Sequence, residues 1–579
     1  MSDRMRTIPF AGLLSWISEE YKRERSIFSI PSAKFFQVNR EGEGRVGAGL
    51  QQLPLGPAAG PHTQLAQNLA AAYLTGGRYF ELKTVQVLDR LTFPKPCINA
   101  MDECYNTEWS TELAIGEALE EYIKGWLLLH LLGKELFGSN QRAFTFNMSV
   151  GYDLQGIRST KVDRFMEGLK DASITKIFKD CKAILSEKCN LFGHLDQAFI
   201  DSISPQICRS ISLSTMHGCP PQEIEEICRY LLCEKQLDTH VKLNPTLLGY
   251  RFVRETLNRM GYDYIALKEE TFTADLGFDE AVPLIERLIA LGEKEGREFG
   301  VKVSNTLPVT ITRGELPGEE MYLSGKPLYA LTINLACKLA EKFRDKLRIS
   351  YSGGADRNNI ARIIETGIKP ITVVSTLLRP RGYHRLRQLA EIVSEETESG
   401  PETIDPGKLK KIAAEALIEP VYQKDRQKKD RIKKLGGLPI FDCSAGCTIC
   451  SDVCPNRANV GIKILNPEEK GMQQERQILH IDGTCNECGN CATFCPYGGK
   501  PYRDKLTLYW YEEDFTNSEN EGFLISRLNS GEKIKIRFGG SISEMDLTAL
   551  GSKTTTFGDP AALLMIRTIL ESYRYLFVS

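Results

Sequence analysis

Nine short β-rich runs recur between residues 53 and 376, with amphipathic helical stretches between them. They are "LPLGPAAG" (53–60), "RYFELKTV" (78–85), "FTFNMSVG" (144–151), "SISLSTMHG" (210–218), "HVKLNPT" (240–246), "YIALKEE" (264–270), "VKVSNTL" (301–307), "RISYSGG" (348–354) and "PITVVST" (370–376). Strands that alternate with helices call for a parallel sheet with right-handed crossovers, and this many favour a closed (β/α)8 TIM barrel over an open sheet. A barrel needs eight, so one run is an insertion or an N-terminal cap strand. The expected fold class is therefore α/β. At 579 residues the chain exceeds one core, and further domains must follow the barrel.

Barrel chemistry sits at the C-terminal ends of the strands. The last two ends, "YSGGA" and "VVSTLL", place backbone amides of Gly353, Gly354, Ser375 and Thr376 where barrels bind phosphate. Beyond the barrel, "TCNECGNCATFCP" (484–496) spaces Cys485, Cys488, Cys491 and Cys495 as C-x2-C-x2-C-x3-C-P. A second set, Cys443, Cys447, Cys450 and Cys454 followed by proline, is one residue longer in its first gap. Zinc knuckles use paired C-x2-C units and have no need of the fourth cysteine and the proline. The pattern resembles the bacterial two-cluster ferredoxins. That likeness implies two [4Fe–4S] clusters, one on Cys443, Cys447, Cys450 and Cys495, the other on Cys485, Cys488, Cys491 and Cys454.

The formal charge of −2 gives no electrostatic case for nucleic acid. No apolar run reaches the ~20 residues that span a bilayer, and the start "MSDRMRTIPFAGLL" lacks the apolar core of a signal peptide. Seventeen cysteines without an export signal point to reduced thiols in a cytoplasmic protein. Composition divides the chain into an N-terminal helical cap (1–44), the barrel (45–392), a helical linker (393–439), the ferredoxin domain (440–502) and a small α+β tail (503–579) that is a possible subunit contact. The charge runs of the linker read as a solvated face.

A family likeness lies in the barrel. "LGPAAGPHTQLAQNLAAAYLTGGRYFELKTVQ" resembles the first flavin-binding segment of the dihydroorotate and dihydropyrimidine dehydrogenases. The likeness implies FMN contacts from Ala58, Ala59, Gly60, Lys83 and Thr84, with Asn147 in the same set. "ECYNTEWSTELAIGEALEEY" is similar to the loop whose asparagine grips substrate, which gives Asn106; "VSNTL" likewise gives Asn305 and Thr306. "HVKLNPT" resembles the strand whose lysine faces the flavin N1–C2=O edge, which gives Lys242; Lys268 and Lys302 are alternatives at neighbouring strand ends. A lysine there stabilises the negative charge of reduced flavin. "GPAAGPHTQLAQN", "STMHGCPP" and "VKLNPTLLGY" look closest to the family of selenate reductase large subunits.

The chain departs from the family at the proton donor. Where the pattern has Asn-x-Ser-Cys, "SLSTMHGCPP" has Ser212 for asparagine and Thr215 for cysteine, with His217 and Cys219 following. Threonine is a poor acid–base group and a thiol a competent one, so Cys219 is the first expectation and His217 the second. The resemblance implies two-electron exchange with a C=C or C=N bond of a nitrogen heterocycle, a pyrimidine or an oxopurine such as urate. Selenate reduction and a non-catalytic electron-transfer scaffold are the alternatives. No G-x-G-x-x-G follows a strand, so the expected partner is a FAD/NAD(P)H-binding iron–sulfur subunit in a hetero-oligomer.

Overall fold

The structure is a computed structural model, and it describes residues 4–37, 53–397, 401, 403–425, 436–443, 446–528, 531–548 and 559–578. The end of the expected N-terminal cap, the entry to the barrel, and the lysine- and arginine-rich part of the linker from 426 to 435 lie outside them. The chain divides into two compact units, one of Lys34–Leu377 with Tyr383–Lys429, the other of Met1–Ala33, Leu378–Gly382 and Asp430–Ser579.

The first unit is the (β/α)8 barrel. Its strands are β1 (Leu55–Pro57), β2 (Tyr79–Glu81), β3 (Thr145–Gly151), β4 (Cys208–Ser214), β5 (Asp238–Leu243), β6 (Phe299–Val303), β7 (Arg348–Tyr351) and β8 (Ile371–Val373). Every ladder among them is parallel, in the order β1-β8-β7-β6-β5-β4-β3-β2. The seam between β1 and β2 closes through Arg78 N–H donating to Leu55 O at 2.8 Å. Gly56 makes that approach possible, since a Cβ there would lie 1.7 Å from Tyr79 O.

Alternation sets what each strand face meets. Val241, Leu243, Val301 and Val303 are buried and face the helices outside. Glu81, Ser149, Lys242, Lys302 and Thr372 touch one another across non-adjacent strands and therefore fill the interior. The sixth of the β-rich runs, 264–270, is not a barrel strand. Around Ala266 it makes one antiparallel bridge, to Thr310, and Glu269 already opens a short helix.

Loops after β2 and β6 build a second sheet from Ile98–Asn99, Glu103–Asn106, Leu307–Thr310 and Glu320–Gly325. Because those loops leave the C-terminal ends of their strands, this sheet stands at the mouth of the barrel. Among the described residues no helix is long and apolar enough to cross a membrane.

The second unit holds the cysteines. Its sheet runs β9 (Asn459–Lys463), β10 (Arg476–Ile481), β11 (Thr507–Tyr509), β12 (Gly522–Leu528), β13 (Gly531–Phe538) and β14 (Ser541–Asp546), side by side in chain order. One cysteine segment precedes β9 and the other joins β10 to β11. The N-terminal segment belongs to this unit: Arg6 pairs with Asp514 at 2.7 Å, and Asn456 Nδ2 reaches Met5 Sδ at 3.3 Å. The helix Phe10–Glu24 that follows ends on Arg25 in the left-handed region (φ 52°).

Candidate functional site

Five buried charged side chains gather at the mouth of the barrel. Glu81 meets Lys242 at 3.1 Å through Oε1 and Lys302 directly through Oε2; Lys83 is in direct contact with Glu108. Lys242 also donates to Ser149 Oγ (2.9 Å) and Thr84 Oγ1 (3.4 Å), and Lys302 to Thr372 Oγ1 (2.9 Å). Burial pulls both Lys242 and Lys302 down from the usual lysine range to about 7. The shared carboxylate pulls the other way. Asn147 donates to Ser212 Oγ at 2.8 Å and accepts from Ser210 at 2.6 Å, so both are fixed on the inner wall. Lys268, by contrast, is half-exposed beside Glu320 on the accessory sheet.

The loop after β4 brings His217 to Asp275, a residue that sequence reading missed. Asp275 lies 2.9 Å from His217 Nδ1, and it also accepts from Gly218 N (2.9 Å) and Thr246 Oγ1 (2.9 Å). Burial alone would raise its carboxyl, but the bonds from His217, Gly218 and Thr246 outweigh that and hold it below the usual carboxylate range. The His217 ring lies parallel to Tyr322, with centroids 6.2 Å apart. Tyr322 in turn stands opposite Asn106 in the accessory sheet. Thr215, Cys219, Lys242, Asn244 and Asp275 line one cleft. Burial and then Glu223 push the Cys219 thiol up to about 12.

The remaining expected residues distribute around this cleft. Ala58 N–H donates to Val373 O, and Ala59 N–H to Glu81 Oε2 at 3.3 Å, which ties the small-residue strand end to the buried carboxylate. Gly60 follows as the first residue of the next turn, buried against Val374. Asn305 N–H donates to Leu243 O, linking the β5 and β6 ends, with Thr306 next along. Ser375 Oγ bonds Ser324 Oγ at 3.0 Å, and Thr376 is buried beside it. Gly353 and Gly354 both take positive φ (102° and 76°) where their loop seats on the first turn of helix Lys326–Phe343.

Gly353 and Gly354 could offer backbone amides to an FMN phosphate beside that helix start, and Lys242 could offer the cation for its ring. A methyl group at Gly354 would lie 2.7 Å from both Gly325 O and Tyr329 N. Gly354→Ala is therefore expected to cost about 1–3 kcal/mol of barrel stability, read by thermal denaturation.

In the second unit Cys454, Cys485, Cys488 and Cys491 line one cavity, together with Pro455, Asn459 and Tyr502. That grouping crosses the two sequence sets. Cys447 has Cys443 and Cys495 as neighbours, and Cys450 has Cys443, Cys447 and Cys491. Among the described residues, no three His, Cys, Asp or Glu side chains converge to hold a single metal ion. Thiols spread around a cavity fit a cluster, whereas a lone zinc would draw four sulfurs to ~2.3 Å from one point. Burial first, and then the neighbouring thiol of Cys454, push Cys491 up to about 12.

Residues 28–424 match the family model described as "Oxidoreductase YgfK, N-terminal TIM-barrel domain". The chain belongs to the YgfK family. Members named YgfK in Escherichia coli strain K12 and in E. coli O157:H7, each described as a candidate oxidoreductase, are 45% identical to it over 470 residues. The match covers 78% of this chain and 46% of theirs, so the chain spans about half the length of these curated relatives. Crystal structures of DHODH from Eimeria tenella, one ligand-free and one with ferulenol, align at TM-scores of 0.36 and 0.35 with 15% and 14% identity. They cover 67% and 59% of this chain and 93% and 80% of their own. Similarity that loose bears on no chemistry, and the YgfK family assignment rests on the matched barrel.

Proposed function

We propose that the chain is a flavin and iron–sulfur oxidoreductase subunit that exchanges two electrons with a C=C or C=N bond of a nitrogen heterocycle. The observation that carries this reading is the cleft lined by Lys242 and Asp275, with His217 bonded to Asp275 from the loop after β4. Bound FMN would supply hydride exchange at N5 and pass single electrons to the clusters.

The chain's own residues supply the rest. Lys242 opposes negative charge at the flavin's N1–C2=O edge. Asp275 takes the proton-bearing Nδ1 of His217 as its hydrogen-bond donor, which leaves Nε2 to give or take a proton at the substrate atom next to the carbon that exchanges hydride. Cys219 and Thr215 shape the wall of the cleft. Asn106, Asn305 and Thr306 offer amide and hydroxyl groups to the edge of a polar ring.

The same reading gives each cysteine quartet a [4Fe–4S] cluster and makes the second unit a ferredoxin-like module. Clusters held there would offer single-electron transfer towards a FAD/NAD(P)H-binding iron–sulfur partner subunit. The length that the YgfK relatives carry beyond the match leaves room for that function in their own chains. Reduced thiols of this number suit a cytoplasmic setting.

Anaerobically prepared protein, photoreduced and mixed with a panel of purines and pyrimidines, tests the reading. Reoxidation of the flavin by one ring class supports it. Reoxidation by selenate alone, or redox-active clusters with no turnover of any ring, would replace it with one of the two alternatives.

A further inference from the structure

Lys242 and Lys302 stand opposite each other in the register of the β5–β6 ladder. Like charges opposite one another in a sheet repel, and both ammonium groups turn inward onto a single anion, Glu81, which is 1% exposed. The triad is anchored on three further strands or strand ends: Ser149 and Thr84 hold Lys242, Thr372 holds Lys302, and Ala59 N–H donates to Glu81. Among the described residues no second carboxylate meets either lysine. The third lysine of the mouth, Lys83, is matched separately by Glu108. Two cations therefore divide one anion inside the barrel.

We propose that Glu81 and Lys302 are positioning residues that set the charge Lys242 offers to the flavin. Lys302 competes for Glu81 and keeps that carboxylate from neutralising Lys242. The interior thus holds a surplus positive charge for an anion at the mouth. Two-electron reduction with one proton taken up at N5 leaves one negative charge at flavin N1, and the surplus matches it. Without Lys302, Glu81 would close on Lys242 and the positive charge under the ring would fall. Without Glu81, the surplus would grow.

The inference rests on the flavin reading above, and its test separates the two. The midpoint potential of bound FMN is measured in the full holoprotein and in Lys302→Gln and Glu81→Gln, with FMN and iron content checked in each. Lys302→Gln is expected to weaken binding of reduced relative to oxidised flavin about tenfold, a shift of about 30 mV to more negative potential for a two-electron couple. Glu81→Gln is expected to move the potential by a similar amount in the opposite direction. Shifts of the same sign, or none, with flavin retained overturn the proposal, since a purely structural role has no reason to give opposite signs. Wild-type protein that binds no FMN overturns the flavin reading instead. The charge competition then remains testable by ε-15N lysine NMR of the flavin-free chain. There Lys242 is expected to titrate at higher pH in Lys302→Gln and at lower pH in Glu81→Gln, and identical titration in all three proteins overturns it.

Discussion

Cys491→Ala is expected to leave about half the iron and acid-labile sulfide of the wild type after anaerobic reconstitution, because it removes one ligand from one of two four-iron cubes. The sharper form of this prediction concerns Cys454. That residue belongs by sequence to the first cysteine set, yet it lines the cavity of Cys485, Cys488 and Cys491. Cys454→Ala should therefore abolish the same EPR signal as Cys491→Ala and spare the signal that Cys447→Ala removes. Matching losses in Cys454→Ala and Cys447→Ala would mean that each sequence set holds its own metal and that the crossing is wrong. The cavity-lining cysteines are largely buried, and Tyr502 and Asn459 pack with them. Loss of a cluster should accordingly also lower the thermal stability of the second unit, while the barrel's own transition stays in place.

His217→Asn is expected to slow substrate-linked flavin turnover by about 10²–10⁴-fold, the usual worth of a positioned acid–base group, with flavin content unchanged. The amide of the replacement can still bond Asp275, so the loop keeps its anchor while the transferable proton is gone. Cys219→Ala should cost less than about tenfold, because a thiol held near 12 contributes little proton transfer at neutral pH. Stopped-flow bleaching of both variants decides between them, and the reverse order of effects would restore the thiol as the acid–base group.

A pH consequence follows for Asp275. Its carboxyl is held below the unfolded value of about 3.9. The stabilisation it gives is thus full above that value and is lost as pH falls through the folded one. The stability gap between wild type and Asp275→Asn should narrow in acid, which urea titrations at pH 7 and pH 3 would show.

The barrel was legible because each of its strands is a β-rich run ending in glycine or polar residues at the place where the loop begins. The run at 264–270 misled for a physical reason. Tyr264, Ile265 and Leu267 have the strand composition, but composition cannot show that Ala266 finds only one partner, Thr310. The crossed cysteine grouping was an expectation from the resemblance to two-cluster ferredoxins, and Cys454 does line the same cavity as Cys485, Cys488 and Cys491.

The buried acids of the candidate site were not legible. Asp275 is separated from His217 by 58 residues and from Thr246 by 29, and nothing local marks it. Glu81 and Glu108 sat in plain view within "FELKT" and "NTEWS". A carboxylate amid an otherwise apolar strand was the available signal, and its meaning depends on Lys242 and Lys302 arriving from strands far along the chain. The N-terminal segment joins the second unit through contacts such as Arg6 with Asp514, which span 508 positions. Pattern along the chain carries no trace of such pairs.

Cofactor content of the anaerobically purified full chain bears most directly on all of this. The account predicts one releasable FMN and about eight iron atoms per chain, four in each of two cubes, with the flavin lost or weakened in Gly354→Ala and half the iron lost in Cys491→Ala. Protein that is folded but colourless, with neither flavin nor acid-labile sulfide after reconstitution, would contradict it.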